Sequence, residues 1–410
     1  MGADLERNLR LYSLYVPLSR FYFTAPVFFL YFSERFPIDR VLQLEALYYF
    51  AVVALEVPSG YLSDRLSRSA VLRTSALAAV IAAGLFLFGG DEFALFAAAQ
   101  IAIAISYSFA SGTDTAYHYD TLVGLGRENE YASREATLVR NGLLATAAAA
   151  LCGGLVGALD LRFAYALSLA AGLVTALVTL GFGEPPRVSS ESHPNGPVAQ
   201  LRECTQQLRR PVLAWLFVYV LLQISLEHVP YEFLQPYVAL VLGEEAGSVE
   251  RTPIVVGFLA AVVAVLGSLA AAGSVRLRRA LGVAGALLAV TALQAVLICV
   301  MGAVVHIAVI PLLLLRSVYP AVSNVLVRAE ITPRVPQHLR ATYLSIHSLG
   351  GRLGFSALLL SLSVLAGEGE WADAETLSTL LRGCALLAVF GLIALTLSRR
   401  ALRREAAPGA

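Results

Sequence analysis

We single out eight charged side chains that lie inside long apolar runs of this sequence, four in each half of the chain. If these runs cross a bilayer, a charge at the midplane costs at least about 2.5 kcal/mol, so it tends to mark function. A buried carboxyl can carry a proton, and an arginine can bind an anionic group. The eight residues are Arg20, Glu56, Asp114 and Arg140, followed by Glu227, Glu232, Arg316 and Arg352.

One apolar run of the second half, with the segment QISLEHVPYEFLQPY, is unusually rich in polar side chains. At a spacing of four residues, Glu227 and Tyr231 share one stripe of a helix, and His228 and Glu232 share a parallel stripe. Pro230 weakens the same helix, which suits a gating element.

Some of these charges have a structural alternative, as ion pairs that hold neighbouring helices together. The expected pairs are Arg20 with Glu56 and Asp114 with Arg140. For Glu56 and Arg140 we favour this structural role. For the remaining charges we favour binding of a solute or a proton, and both interpretations stay open.

Catalytic and cofactor signatures are missing from the sequence. No His, Cys or Asp cluster has metal-ligand spacing, no G-x-S-x-G motif occurs, and no Gly-rich phosphate loop follows a strand. All 30 basic residues are arginine, which excludes Schiff-base chemistry. The four cysteines are far apart. We therefore expect no enzyme, no cofactor, no metal site and no disulfide.

The composition is that of an integral membrane protein. Of the 410 residues, 58% are hydrophobic and 14% are charged, against about 25% charged in a soluble domain. A soluble core of this length does not bury so much apolar surface, so lipid must be the solvent for much of it. The net charge of +1 gives no case for nucleic acid. The polar start, MGADLERNLR, favours a retained first helix over a removed signal peptide.

Twelve apolar segments are long enough to cross a bilayer, which needs about 20 residues per helix. We expect an all-α membrane protein with two six-helix bundles, at 1–182 and 212–410, joined by a polar linker at 183–211. The C-terminal bundle carries a short tail. The predicted spans are 11–32, 43–62, 70–88, 93–121, 132–158, 162–182, 212–242, 253–273, 279–302, 304–330, 339–366 and 377–398.

The distribution of arginine predicts the orientation. The side that holds both termini and the linker carries 21 arginines, and the opposite side carries 4. Cytoplasmic loops are enriched in arginine, so we expect both termini and the linker in the cytoplasm, with a multi-pass chain in the cell (inner) membrane.

The stretch GYLSDRLSRS, residues 60–69, joins the second and third predicted spans. It resembles the loop signature of the major facilitator superfamily, roughly G-x-L-A-D-R-x-G-R-R, and the twelve-span layout extends the resemblance to nearly the whole chain. Ser67 and Ser69 stand where the signature has its second glycine and its last basic residue. The matching residues are Gly60, Leu62, Asp64, Arg65 and Arg68.

The resemblance implies that this loop latches the cytoplasmic side of the protein, with an arginine paired to an acid at the end of span 4, here Asp120. The alternative is a loop that merely sets topology. A looser counterpart, GSVRLRRALG at 273–282, follows span 8. The glycines of span 11, in RATYLSIHSLGGRLG, are expected to pack against span 2.

The resemblance also implies that spans 1, 4, 7 and 10 line a central cavity, and each carries one mid-depth charge. The leading hypothesis is a monomeric secondary transporter that moves a small polar or charged organic solute by alternating access. Proton coupling is left open. The alternatives are a non-transporting membrane sensor or scaffold and a multidrug efflux pump; span 5 lacks the proline of the drug-antiporter motif. The four charges are Arg20, Asp114, Glu227 and Arg316.

Overall fold

A computed structural model describes residues 2–65, 67–186, 196–244, 250–336, 339–367 and 373–402. All regular structure in these ranges is helical. The chain divides into two compact units. The first comprises Met1–Glu191 and Glu244–Ala261, and the second comprises Ser192–Gly243 and Val262–Ala410.

The first unit contains eight α-helices, with a single 3₁₀ turn at Glu128–Glu130 before the seventh. They are α1 (Gly2–Leu18), α2 (Phe28–Ser33), α3 (Ile38–Arg65), α4 (Arg68–Phe88), α5 (Phe93–Ala110), α6 (Thr113–Gly124), α7 (Tyr131–Gly157) and α8 (Leu161–Leu180).

Most helices of the second unit follow the polar linker, of which residues 187–195 lie outside the described residues. A 3₁₀ helix at Ile307–Ser317 precedes α14, and another at Arg399–Leu402 follows α16. The helices are α9 (Gly196–Gln207), α10 (Pro211–Glu227), α11 (Val229–Glu232), α12 (Leu234–Leu242), α13 (Thr252–Ala303), α14 (Val318–Ile331), α15 (Arg340–Ala366) and α16 (Ala374–Ser398).

The helices agree with the predicted spans. In the described part of the chain, nine helices are long and apolar enough to cross a membrane. The other three predicted spans correspond to α1 with α2, to α3, and to the shorter apolar helix Thr252–Gly267. Spans 8 and 9 run together as α13, with a kink at Gly282, where φ is 70°. Only glycine adopts such a φ at little cost, so this residue permits the turn between the two spans.

Spans 1, 4, 7 and 10 are broken helices. Pro17 lies in the last turn of α1, and Pro26 lies in the interruption that separates α1 from α2; proline lacks an amide donor and disfavours helix at the residue before it. Gly112, with φ of 77°, separates α5 from α6. Pro230 lies at the break between α10 and α11, and Pro311 lies in the 3₁₀ helix that precedes α14.

The core of the first unit is built around α4, which packs against α5 and α8. At one end, an aromatic cluster joins α1, α6 and the end of α8, with Tyr117 stacked on Phe182 at 4.8 Å between ring centroids. Asn8 extends this contact, because its side chain exchanges two hydrogen bonds of 2.9 Å with the backbone of Gly183. The segment after α8 is therefore fixed to α1.

In the second unit, α10 and α15 make the most extensive helix pair. A Cβ at Gly350 would meet Leu221 and Phe217, and one at Gly351 or Gly354 would collide with α10. The glycines of span 11 therefore serve close packing against α10 (span 7) within this unit, and their expected packing against span 2 stays a prediction.

The start of α13 belongs to the first unit, which differs from the predicted bundle boundaries. Here α13 and α7 touch backbone to backbone: a Cβ at Gly154 would collide with the carbonyl oxygen of Pro253, and one at Gly257 would lie 2.5 Å from the carbonyl oxygen of Ala150. Small residues allow such close approach of helices. This contact explains why Glu244–Ala261 groups with the first unit.

Candidate functional site

The four mid-depth charges of spans 1, 4, 7 and 10 all lie at the helix breaks. Arg20 follows the end of α1, and Asp114 stands in the first turn of α6. Glu227 is the last residue of α10, and Arg316 is in the last turn of the 3₁₀ helix before α14. Each break therefore places a charged side chain beside a helix end, the arrangement that transporters of this kind of architecture use for charged groups.

In the first unit, Arg20 and Asp114 lie close enough to interact electrostatically. Asp114 accepts a hydrogen bond of 2.7 Å from the amide of Thr115, at a helix N-terminus that favours negative charge. Arg20 packs beside Gly142 of α7: a Cβ there would lie 3.5 Å from the arginine Cγ. The breaks of spans 1 and 4 thus bring two opposite charges close to each other.

The expected pair of Asp114 with Arg140 does not form. Both residues are described, and Arg140 lies on the exposed side of α7, where its guanidinium donates to Asn141 Oδ1 at 3.3 Å. Asp114 has Arg20 as its basic neighbour instead. Glu56 is half-buried in α3, and its structural role stays a prediction.

The second unit contains a pocket of about 150 Å³, lined by both polar and apolar side chains. Three helices form it, each through residues of one face. Glu227 stands among the lining residues, while Asn324 and Arg328 line the pocket from exposed positions. From α10 they include Tyr219, Gln223 and Glu227; from α14, Ser323, Asn324 and Arg328; and from α15, Leu344, His347 and Ser348.

Two buried side chains of this pocket have unused hydrogen-bonding groups. Gln223 and His347 are each 3% exposed. Neither the amide of Gln223 nor either ring nitrogen of His347 has a hydrogen-bond partner within the described residues. Leaving such a group unsatisfied costs about 1–3 kcal/mol, so the pocket is suited to a ligand that supplies the missing partners. Tyr219 and Ser323, 2.6 Å apart, already satisfy each other.

The other candidate charges of this unit are Arg352, Arg316 and Glu232. Arg352 interacts electrostatically with Glu227. The guanidinium of Arg316 lies over the ring of Tyr231, 5.7 Å from its centroid, and Arg316 Nη1 is buried without a hydrogen-bond partner in the described structure. Glu232 is fully buried. Of the candidate charges, Glu227 is thus the one that the structure places on the pocket wall. The sequence had not pointed to Gln223, which lies one turn before it in α10.

At one end of the first unit, Arg68 and Asp120 form an ion pair of 3.0 Å, with side chains 15% and 3% exposed. This is the pair expected from the loop signature. Gly60, Asp64 and Arg65 belong to the last turns of α3, and their side chains lie outside the described residues. Their part in a latch stays a prediction.

The second unit has a matching ion pair. Arg278 Nη2 lies 2.7 Å from Glu330 Oε1, and Arg334 lies 2.6 Å from the other oxygen. Arg278 and Glu330 each stand 210 positions after Arg68 and Asp120. The sequence pointed to the segment of Arg278 but not to Glu330. Adding the same 210 positions to Asp120 gives Glu330, so the spacing between the two halves would have revealed it. Both units therefore join the loop between their second and third spans to the end of their fourth.

Breaking the first of these pairs is expected to destabilise the protein. Asp120→Asn removes the charge that satisfies a largely buried guanidinium, so we expect a loss of about 2 kcal/mol in the free energy of unfolding. The measurement is thermal unfolding in detergent, with Asp4→Asn as control, because Asp4 and Arg7 form an exposed pair of 4.0 Å. A loop that only sets topology predicts equal melting temperatures for both variants.

A second carboxylate fixes the start of α4. Glu184 accepts hydrogen bonds from the amides of Arg68 and Ser69 at 2.8 and 3.0 Å and from the Ser69 hydroxyl at 2.8 Å. Partial burial alone raises the pKa of Glu184, but these hydrogen bonds outweigh it and hold that pKa below its usual value. Ser67, the helix N-cap, accepts from the amide of Ala70 at 3.0 Å. The two serines that depart from the loop signature thus stabilise this helix terminus.

Comparison with known proteins agrees with this architecture. The model of the Major Facilitator Superfamily matches residues 21–359, and the chain belongs to this superfamily. No curated protein sequence matches the chain.

Among solved structures, the nucleoside transporter NupG shares 12% identity and a TM-score of 0.75, covering 96% of this chain and 99% of its own. The D-xylose-proton symporter has 14% identity, a TM-score of 0.69 and coverage of 96% of both chains. A bacterial homologue of the human lysosomal transporter Spinster, in an inward-facing and unoccupied conformation, has 15% identity and a TM-score of 0.70, covering 99% of this chain and 98% of its own. These identities show a shared fold, and the family indicates a multi-pass membrane transporter rather than an enzyme.

Proposed function

We propose that this protein is a secondary active transporter of a small polar or charged organic solute, working by alternating access in the cell inner membrane with both termini in the cytoplasm. The observation that carries the proposal is the pocket of the second unit. Its wall holds the buried amide of Gln223 and the imidazole of His347, neither of which has a hydrogen-bond partner among the described residues, beside Glu227.

The chemistry of this wall favours a solute that both donates and accepts hydrogen bonds. The amide of Gln223 has a donor NH₂ and an acceptor carbonyl oxygen, and a neutral imidazole has one donor and one acceptor nitrogen. Glu227 adds a negative charge, which favours an amine or hydroxyl donor on the solute. A purely apolar drug would leave all of these groups unsatisfied, so Gln223, His347 and Glu227 support a polar solute over a lipophilic one.

Counterflow in proteoliposomes tests the function directly. Vesicles preloaded with one unlabelled solute class at a time, amines, amino acids, polyols, organic anions or lipophilic drugs, are diluted into labelled solute. We expect transient accumulation for a polar class and none for the lipophilic drugs. Accumulation of the drugs alone would overturn the proposal.

Substitution of Gln223 links that activity to the pocket. Gln223→Leu leaves the solute group that the amide contacts without a partner, so we expect about tenfold weaker apparent affinity in counterflow. Gln206→Leu, at an exposed position of α9, is the matched control. Equal affinity in both variants would place the solute elsewhere in the protein.

A further inference from the structure

The short helix α6 places a second group of ionisable side chains one turn beyond the break at Gly112. Asp114 and His118 are four residues apart and so share a face of this helix. His118 Nδ1 lies 3.0 Å from Glu135 Oε2 of α7. Sequence reasoning selected neither His118 nor Glu135.

His118 is held tightly in this position. Its side chain is 2% exposed, and its ring stacks on Tyr12 of α1 with 4.8 Å between centroids. Tyr131 of α7 lies on another side, 5.4 Å away. The imidazole is therefore enclosed by two phenol rings and a carboxylate. A histidine paired with a carboxylate in such a site changes charge with little change in geometry.

Counting the charges around His118 leaves one negative charge in excess. Two neighbouring groups are balanced: Arg68 with Asp120, and Arg127 and Arg134 with Glu6 and Glu130. What remains is the positive charge of Arg20 against the negative charges of Asp114 and Glu135, which lie near each other. A net charge beside a buried imidazole is costly, and a single proton cancels it.

We propose that His118 and Glu135 bind the coupling proton of this transporter, one proton per chain. The inference rests on the proposed transport function and adds the place where its proton is held. In the unprotonated state Nδ1–H donates to the carboxylate of Glu135. The added proton binds Nε2 and gives an imidazolium–carboxylate pair, and its release restores neutral imidazole beside the carboxylate. Arg20 and Asp114, at the breaks of spans 1 and 4, interact electrostatically with this charge when it changes.

The position of this site fits exchange with one face of the membrane. His118 stands six residues before Gly124, the last residue of α6, which corresponds to about 9 Å along the helix axis. Asp120, paired with Arg68, lies between His118 and that end. In the proposed orientation this end faces the cytoplasm, so in the inward-facing state the site exchanges its proton with the cytoplasm.

Nuclear magnetic resonance of the purified protein with ring-labelled histidine tests proton binding without any solute. The chain has six histidines, and His118→Gln identifies the signal of His118 by its loss. We expect this signal to titrate, because a histidine changes charge when it binds a proton. In Glu135→Gln the midpoint should move to lower pH, because the carboxylate that stabilises the imidazolium is gone. Glu128→Gln, an exposed carboxyl near the start of α7, is the control and should leave the midpoint in place.

Transport in proteoliposomes tests coupling. With the solute found by counterflow, pH-driven accumulation should fall far more than counterflow in His118→Gln and Glu135→Gln, while Glu128→Gln matches the wild type. A His118 signal that does not titrate, or a midpoint that is unchanged in Glu135→Gln, would overturn the proposal, as would wild-type accumulation in both variants. Absence of counterflow for every solute would instead refute the transport function, and the titration would still decide the proton site.

Discussion

Glu227→Gln is expected to weaken solute binding by about tenfold to a hundredfold and to impair counterflow and pH-driven accumulation alike. The carboxylate lies on the pocket wall, and within the described residues its oxygens accept no hydrogen bond. A hydrogen bond from the solute to this charged group is worth about 1.5–3 kcal/mol, which sets the size of the loss. The measurement is counterflow in proteoliposomes over a range of solute concentrations.

A control variant and three alternative outcomes determine how the result for Glu227→Gln is interpreted. Glu375→Gln, at an exposed position at the start of α16, is the matched control and should behave as the wild type. If Glu227→Gln abolishes accumulation but leaves counterflow intact, Glu227 carries a proton and not solute. If it lowers the melting temperature and Arg352→Gln restores it, Glu227 and Arg352 are a structural pair. Unchanged transport and stability would remove Glu227 from the site.

Gly257→Leu should be the most destabilising of the substitutions considered, with a loss of about 3 kcal/mol or more in the free energy of unfolding. Even a Cβ at this position would lie 2.5 Å from the carbonyl oxygen of Ala150 and 3.3 Å from the Cα of Gly154. Both contacts are to backbone, so no side chain can rotate away and the two helices must separate. Gly257→Ala should show the same effect at smaller size.

Gly84→Leu separates this clash from the general cost of a larger side chain. Gly84 lies in the interior of α4, and a Cβ there would have nothing within 4 Å. Because leucine is a better helix former than glycine, this variant should melt at the wild-type temperature or slightly above it. Similar melting temperatures for Gly84→Leu and Gly257→Leu would show that α7 and α13 are not in contact as described.

Much of the architecture follows from local sequence patterns. Apolar runs of bilayer length gave the helical class and most span positions, because each helix satisfies its own backbone in lipid. The breaks have local signals as well: Pro17, Gly112 and Pro230 each mark one, since proline and glycine act on the backbone of their own segment. The acid partner of Arg68 was also accessible from sequence, through the loop signature.

The contacts between side chains depended on which helix faces pack together, and the local sequence of one helix does not determine that. Arg140 was expected beside Asp114 from depth alone, but depth along a helix does not determine the direction in which a side chain points, and Arg140 faces outward. The same limit hid Gln223, which is an ordinary polar residue until three helices enclose it. The sequence by itself determined the membrane class, the spans and the charges that must be accommodated. The tertiary structure alone decided which of these residues come together. The contacts of His118 with Glu135 and of Gly257 with α7 join residues on different helices, so only helix packing creates them.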